Sequence, residues 1–184
     1  NPPQASDQTI VTAEDTSVSI ALVATDADGD SLTYSVVSNP SQGQLSGTVP
    51  NLTYTPKSNF SGSDSLTFKA NDGSADSNTA TVTVTVSAVN DAPVVIPQVV
   101  TTSQNAAKSI TLVGMDVDND NGSLTFAIGM APKNGILSSI SGATVTYTPN
   151  QGFSGGDNFT FKANDGTVNS QTATVTIVVT AINE

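Results

Sequence analysis

Thr79-Ala80-Thr81-Val82-Thr83-Val84-Thr85-Val86 alternates between hydroxyl-bearing and apolar residues. A period of two is that of an extended strand, whose successive side chains point to opposite faces. Val82, Val84 and Val86 then share one face and need a core. The threonines take the other face, where β-branching suits the pleat and the hydroxyl suits water. Working outward, residues 17–23, 31–36 and 65–68 alternate in the same way. Turn signals separate these runs: Asp28-Gly29, Asn39-Pro40, Gln42-Gly43, Ser61-Gly62 and Asp72-Gly73. No segment reads as an amphipathic helix.

The chain then repeats itself. Residues 60–73, which run from Phe60 through Asp64 and Phe68 to Asp72-Gly73, return as 153–166, from Phe153 through Asp157 and Phe161 to Asp165-Gly166. Tyr54-Thr55-Pro56 returns as Tyr147-Thr148-Pro149, and Asn90-Asp91-Ala92-Pro93 echoes Asn1-Pro2-Pro3. The offset is 90 residues from Asp26 to Asp116 and 93 from Tyr54 to Tyr147, so small insertions fall between them. A period of this size marks tandem modules. The reading is all-β: two tandem seven-stranded Greek-key β-sandwiches of immunoglobulin/cadherin-like type, over residues 1–91 and 92–184. There is no cysteine or tryptophan, so the cores are aliphatic with phenylalanine and tyrosine. Asn183-Glu184 resembles the start of a third copy, and the chain reads as a piece of a longer protein.

Sixteen acids face five lysines, for a net charge of −11. Such a chain repels nucleic acid and anionic membrane surfaces, and neither is an expected partner. No apolar run approaches the roughly 20 residues that span a bilayer as a helix. Fourteen of the acids fall in recurring places. Glu14-Asp15 opens copy one, Asp26, Asp28 and Asp30 share one loop, and Asp64, Asp72 and Asp91 follow. Copy two answers with Asp116, Asp118, Asp120, Asp157, Asp165 and Glu184.

Strand order places Asp26, Asp28, Asp30 and Asp72 at one end of the first sandwich, together with the incoming Asn1. Glu14 and Asp64, the latter just before a strand, belong to the opposite end. The expectation is that Glu14 and Asp64 meet Asp116, Asp118, Asp120 and Asp165 across a linker containing Asn90 and Asp91. Carboxylates gathered without cationic partners repel one another, and a hard divalent cation removes that repulsion. Calcium suits such a set because it accepts roughly 6–8 oxygens in loose geometry. An EF-hand is excluded, since Ser31 and Val37 stand where its glycine and glutamate belong, and Asn121 and Ala127 do so in copy two.

These residues resemble the cadherin superfamily. Asp26-Ala27-Asp28 is similar to its Asp-x-Asp motif, Ala70-Asn71-Asp72-Gly73 to its Ala-x-Asp motif, and Asn90-Asp91-Ala92-Pro93 to its linker. Within that superfamily the whole chain resembles bacterial cadherin-like tandem repeats. The resemblance implies calcium (Ca2+) held between successive repeats, and an extracellular or bacterial-surface parent such as an adhesin or polysaccharide-active protein. The pattern is thinner here. Ala88 stands where the linker carries a further acid, Asp64 is all that remains of an Asp-Arg-Glu motif, and Gln104-Asn105 replaces Glu14-Asp15. Weaker calcium binding is therefore expected at the lower end of copy two.

Catalysis is not expected, because with no histidine or cysteine the common nucleophile–base pairs and zinc sites are missing. The expected function is that of a calcium-rigidified extracellular spacer or adhesion module, partnered by neighbouring repeats. The alternative is calcium-dependent recognition of a polysaccharide or of an identical repeat on another molecule. A sugar platform favours exposed aromatic rings, whereas Tyr34, Tyr54 and Tyr147 all sit in alternating strands, where core packing is the expected role.

Overall fold

A computed structural model describes residues 1–118 and 123–182. The chain divides into two compact units, Asn1–Val89 and Asn90–Glu184. Unit 1 contains β1 (Gln4–Ala5), β2 (Gln8–Ala13), β3 (Val18–Ala21), β4 (Ala24–Thr25), β5 (Thr33–Ser38), β6 (Gly43–Thr48), β7 (Asn51–Pro56), β8 (Gly62–Asn71) and β9 (Ala80–Ser87). Seven of these form the sandwich. One sheet has the order β2-β9-β8-β5 and the other β3-β7-β6, while β1 and β4 make a small ribbon. β2 lies parallel to β9 over six register pairs, from Gln8↔Val82 to Ala13↔Ser87, and the other pairings are antiparallel.

Unit 2 repeats the plan with β10 (Val94–Val95), β11 (Gln98–Ser103), β12 (Lys108–Thr111), β13 (Gly114–Met115), β14 (Thr125–Ile128), β15 (Gly135–Leu137), β16 (Thr144–Pro149), β17 (Gly155–Asn164) and β18 (Ala173–Thr180). Its sheets run β11-β18-β17-β14 and β12-β16-β15. No helix among the described residues is long and apolar enough to cross a membrane.

The alternation does what its period dictates. Val82, Val84 and Val86 are buried in β9, and Thr81, Thr83 and Thr85 are not. In β8, Asp64, Leu66, Phe68 and Ala70 point inward, so the expected strand at 65–68 is the middle of a ten-residue one. Each unit has its own core. Ile20, Tyr54, Leu66 and Phe68 pack with the β9 valines in unit 1, and Tyr147, Phe159, Phe161, Val175 and Ile177 pack in unit 2. Fully burying one such side chain contributes about 1.5–3 kcal/mol. Tyr54 and Tyr147 have no exposed surface, which removes both from any sugar-binding platform.

The buried serines are satisfied as well. Ser77 Oγ accepts the Ala70 amide at 2.9 Å and donates to the Asn78 carbonyl at 2.7 Å, and Ser170 repeats the arrangement with Ala163 and Gln171. The topology sets the two ends of a unit. The β4–β5 and β8–β9 loops emerge at the end where the chain enters. The β2–β3 turn lies at the other end, where β9 leaves.

Candidate functional site

At the entry end of unit 1, Asp26 folds its own loop. Its Oδ1 accepts the amides of Asp28 at 2.8 Å and Asp30 at 3.2 Å, an Asx turn that draws the three aspartates together. One carboxylate oxygen from each of Asp26, Asp28 and Asp30 lies within 4.8 Å of the others. The other oxygen of Asp26, Oδ2, is buried and accepts no hydrogen bond. A buried acceptor without a partner is unfavourable.

Asp72 joins this end from the β8–β9 loop. Its Oδ1 accepts Ser74 N at 2.6 Å and Ala75 N at 2.7 Å, and these backbone bonds, led by Ala75, hold its carboxyl below the ordinary range. The terminal ammonium of Asn1 binds Asp28 Oδ2, and Asn1 Nδ2 donates to Asp28 Oδ1 at 3.1 Å. The ammonium bond lowers the pKa of Asp28. Lysine takes no part. Lys69 pairs with Asp76 at 3.6 Å, Lys57 donates to the Ser41 carbonyl, and no lysine among the described residues pairs with an acid of this end.

Unit 2 builds the same end with different residues at the entry. Asp116 Oδ1 accepts the Asp118 amide at 2.9 Å, and Asp118 Oδ2 accepts the Asp91 amide at 2.5 Å. The Asp91 amide thus replaces the Asn1 ammonium, so the contact does not depend on a terminal charge. Asn90 Nδ2 donates to Asp165 Oδ2 at 2.8 Å, while Asp165 Oδ1 accepts Thr167 N and Val168 N. The Asn90 bond, followed by that of Val168, lowers the pKa of Asp165. Asn90, Asp91, Asp116, Asp118 and Asp165 therefore gather within unit 2. Asp120 lies outside the described residues.

Asp64 has a different role from the one its acidity suggested. It is the third residue of β8, not a loop residue before it, and is only 6% exposed. Oδ1 accepts Ser41 N and Ser65 N at 2.9 Å each. Oδ2 accepts Gln42 N at 2.8 Å and the Tyr54 hydroxyl at 3.0 Å. Both oxygens are committed to the protein, which corrects the expectation of a metal ligand here. Burial alone would raise its pKa, but the bonds from Ser41, Gln42, Ser65 and Tyr54 outweigh it and keep the carboxyl below its ordinary value. Burial first, then the Asp64 bond, pushes the Tyr54 hydroxyl up to about 12. Asp157 repeats the hub with Lys133 N, Asn134 N, Asn158 N and the Tyr147 hydroxyl.

Glu14 is 5% exposed at the exit end, and its Oε1 accepts the Val89 amide at 2.5 Å. It clasps the departing chain of its own unit and has one oxygen committed. The acids that loops bring together are those of the entry ends, with Asp26, Asp28 and Asp30 the tightest group among the described residues. They are hard oxygen donors from two loops, with no nitrogen or sulphur ligand among them, and that set fits calcium better than zinc or copper.

Comparison with known proteins places the fold. An integrin beta-like protein B from Dictyostelium discoideum is 36% identical over 66 residues, which is 36% of this chain and 3% of that protein. The protocadherin gamma B4 extracellular domain superposes with a TM-score of 0.52 at 20% identity, over 97% of this chain and 34% of that one. Protocadherin gamma B2 cadherin domains 1–5 superpose with a TM-score of 0.53 at 18% identity, over 100% of this chain and 40% of that one. The chain thus spans less than half the length of each of these proteins. The family model described as "Bacterial Ig domain" matches twice, over residues 1–85 and 90–178. With two copies that together cover nearly all of its length, the chain belongs to the bacterial Ig domain family.

Proposed function

We propose that each unit binds calcium at its entry end and that the chain serves as a calcium-stiffened spacer or adhesion segment of a larger extracellular protein. The observation that carries this reading is the buried Oδ2 of Asp26, which has no hydrogen-bond partner and sits in a cluster of three carboxylates. Asp26, Asp28, Asp30 and Asp72 would hold the ion in unit 1. Asp91, Asp116, Asp118 and Asp165, with the Asn90 carboxamide beside them, would do so in unit 2. A bound ion ties the entering segment, residues 90–93, to the body of its own unit. A hinge so fixed suits a tether that must hold its reach. The tandem bacterial Ig organisation and the cadherin-like fold support the extracellular placement.

Calorimetric titration of the chain with calcium tests the reading. Binding is expected with Kd of roughly 0.1–1 mM, the range of extracellular modules. Asp26→Asn is expected to weaken the unit 1 site by at least about tenfold, or 1.4 kcal/mol, and to leave the amide shifts of unit 2 unchanged. The reading fails if calcium moves neither the 26–30 nor the 116–118 amides in NMR spectra. Backbone relaxation at Asn90 and Asp91 should show slower, smaller motion with calcium than with chelator.

A further inference from the structure

The exit ends of the two units are closed by different chemistry. In unit 1, Glu14 accepts Val89 N and Asp15 Oδ1 accepts Asn59 N at 3.2 Å. Both are carboxylates and can only accept. In unit 2 the same positions are Gln104 and Asn105. Gln104 Oε1 accepts Ile182 N at 3.4 Å, while Gln104 Nε2 donates to the Gly152 carbonyl at 2.5 Å. Asn105 Oδ1 accepts Gly152 N at 2.9 Å. The two amides therefore grip both polar groups of one residue, Gly152, and hold the departing chain as well. A carboxylate cannot reproduce this, because it has no proton to give the carbonyl. Asn105 adopts a left-handed backbone, φ 62°, as does Asp15 at φ 55°, so the turn is the same and only its chemistry differs. Asp157 lies toward this end too, but its oxygens are taken by Lys133, Asn134, Asn158 and Tyr147.

We propose that the exit end of unit 2 is an amide-locked cap that holds its turns together without a cation. The lock stands on these bonds alone and not on the function proposed above. Gln104 and Asn105 are positioning residues for the turn at Gly152.

Hydrogen exchange of the Gly152 and Ile182 amides, measured by NMR in the whole chain, tests the proposal. In the native chain their protection is expected to be the same in calcium and in chelator. The double substitution Gln104→Glu with Asn105→Asp gives unit 2 the acids of unit 1. In chelator it is expected to speed exchange at Gly152 by about tenfold and lower the Tm of unit 2 by about 4–8 °C. The milder Asn105→Asp alone keeps the acceptor and should change little. The proposal is overturned if the double variant leaves Gly152 protection in chelator unchanged, or if calcium alone slows exchange at these amides in the native chain. A calcium titration of the same samples separates the two ideas. Absence of binding would sink the calcium reading, while the comparison in chelator still decides the lock.

Discussion

Asp64→Ala is expected to remove about 3–5 kcal/mol from the stability of unit 1, because each buried donor left without an acceptor costs roughly 1–3 kcal/mol and water reaches only some of them. Four donors lose their partner at once: the amides of Ser41, Gln42 and Ser65 and the hydroxyl of Tyr54. The turn before β6 would lose its anchor and the tyrosine ring its tether. Urea denaturation followed by NMR should show unit 1 unfolding well before unit 2, and Asp157→Ala should reverse that order. A midpoint within error of the native chain would contradict the hub. The pH dependence has a fixed sign. The folded pKa values of both aspartates lie below the ordinary 3.8. Their contribution is therefore fully present above that value and is lost as pH falls through the lower folded ones. Stability should fall below about pH 4 in the native chain, and less steeply in either alanine variant.

Gly43→Ala is the second large effect. A Cβ at this position would lie 2.3 Å from Tyr54 Cε2 and 2.4 Å from Cζ, well inside contact distance. The ring is fully buried and cannot swing aside without leaving Asp64. Overpacking of this kind costs about 1–3 kcal/mol, and the upper end is expected here. Gly135→Ala should match it, since its Cβ would meet Tyr147 Cε2 at 2.3 Å and the Thr148 carbonyl oxygen at 2.7 Å. Gly43 and Gly135 are not among the positive-φ glycines, so the effect is steric. Gly156→Ala, with nothing within 4 Å of its added Cβ, is the control and should be nearly neutral. Equal stability of Gly43→Ala and Gly156→Ala would contradict the argument.

The fold was legible because its two signals are periodic. A period of two over 79–86 requires a strand, and the recurrence of 60–73 at 153–166 requires two modules. The loop positions of Asp26, Asp28, Asp30 and Asp72 were legible because these residues stand among turn signals. Asp64 stood among the expected ligands on its charge alone, and the mark of its inward direction is its parity. Asp64 shares a face with Leu66, Phe68 and Ala70, and Asp157 with Phe159, Phe161 and Ala163, so each acid had to point at the core. The same interval separates Tyr54 from Asp64 and Tyr147 from Asp157, which pairs each buried acid with a hydroxyl. Neither the glycine under the tyrosine ring nor the grip of Gln104 on Gly152 has a sequence signal. Both depend on which turns the sandwich brings side by side.

The parallel pairing of β2 with β9 bears on how such a repeat carries tension. The chain enters beside the start of β2 and leaves from the end of β9, so a pull on the two termini drags these neighbours in opposite directions along their shared ladder. The load falls in shear on the pairs from Gln8↔Val82 to Ala13↔Ser87, which must give way together instead of one after another. A string of such units would resist extension up to a threshold force and then yield one repeat at a time. A single-molecule extension trace should record this as evenly spaced rupture peaks.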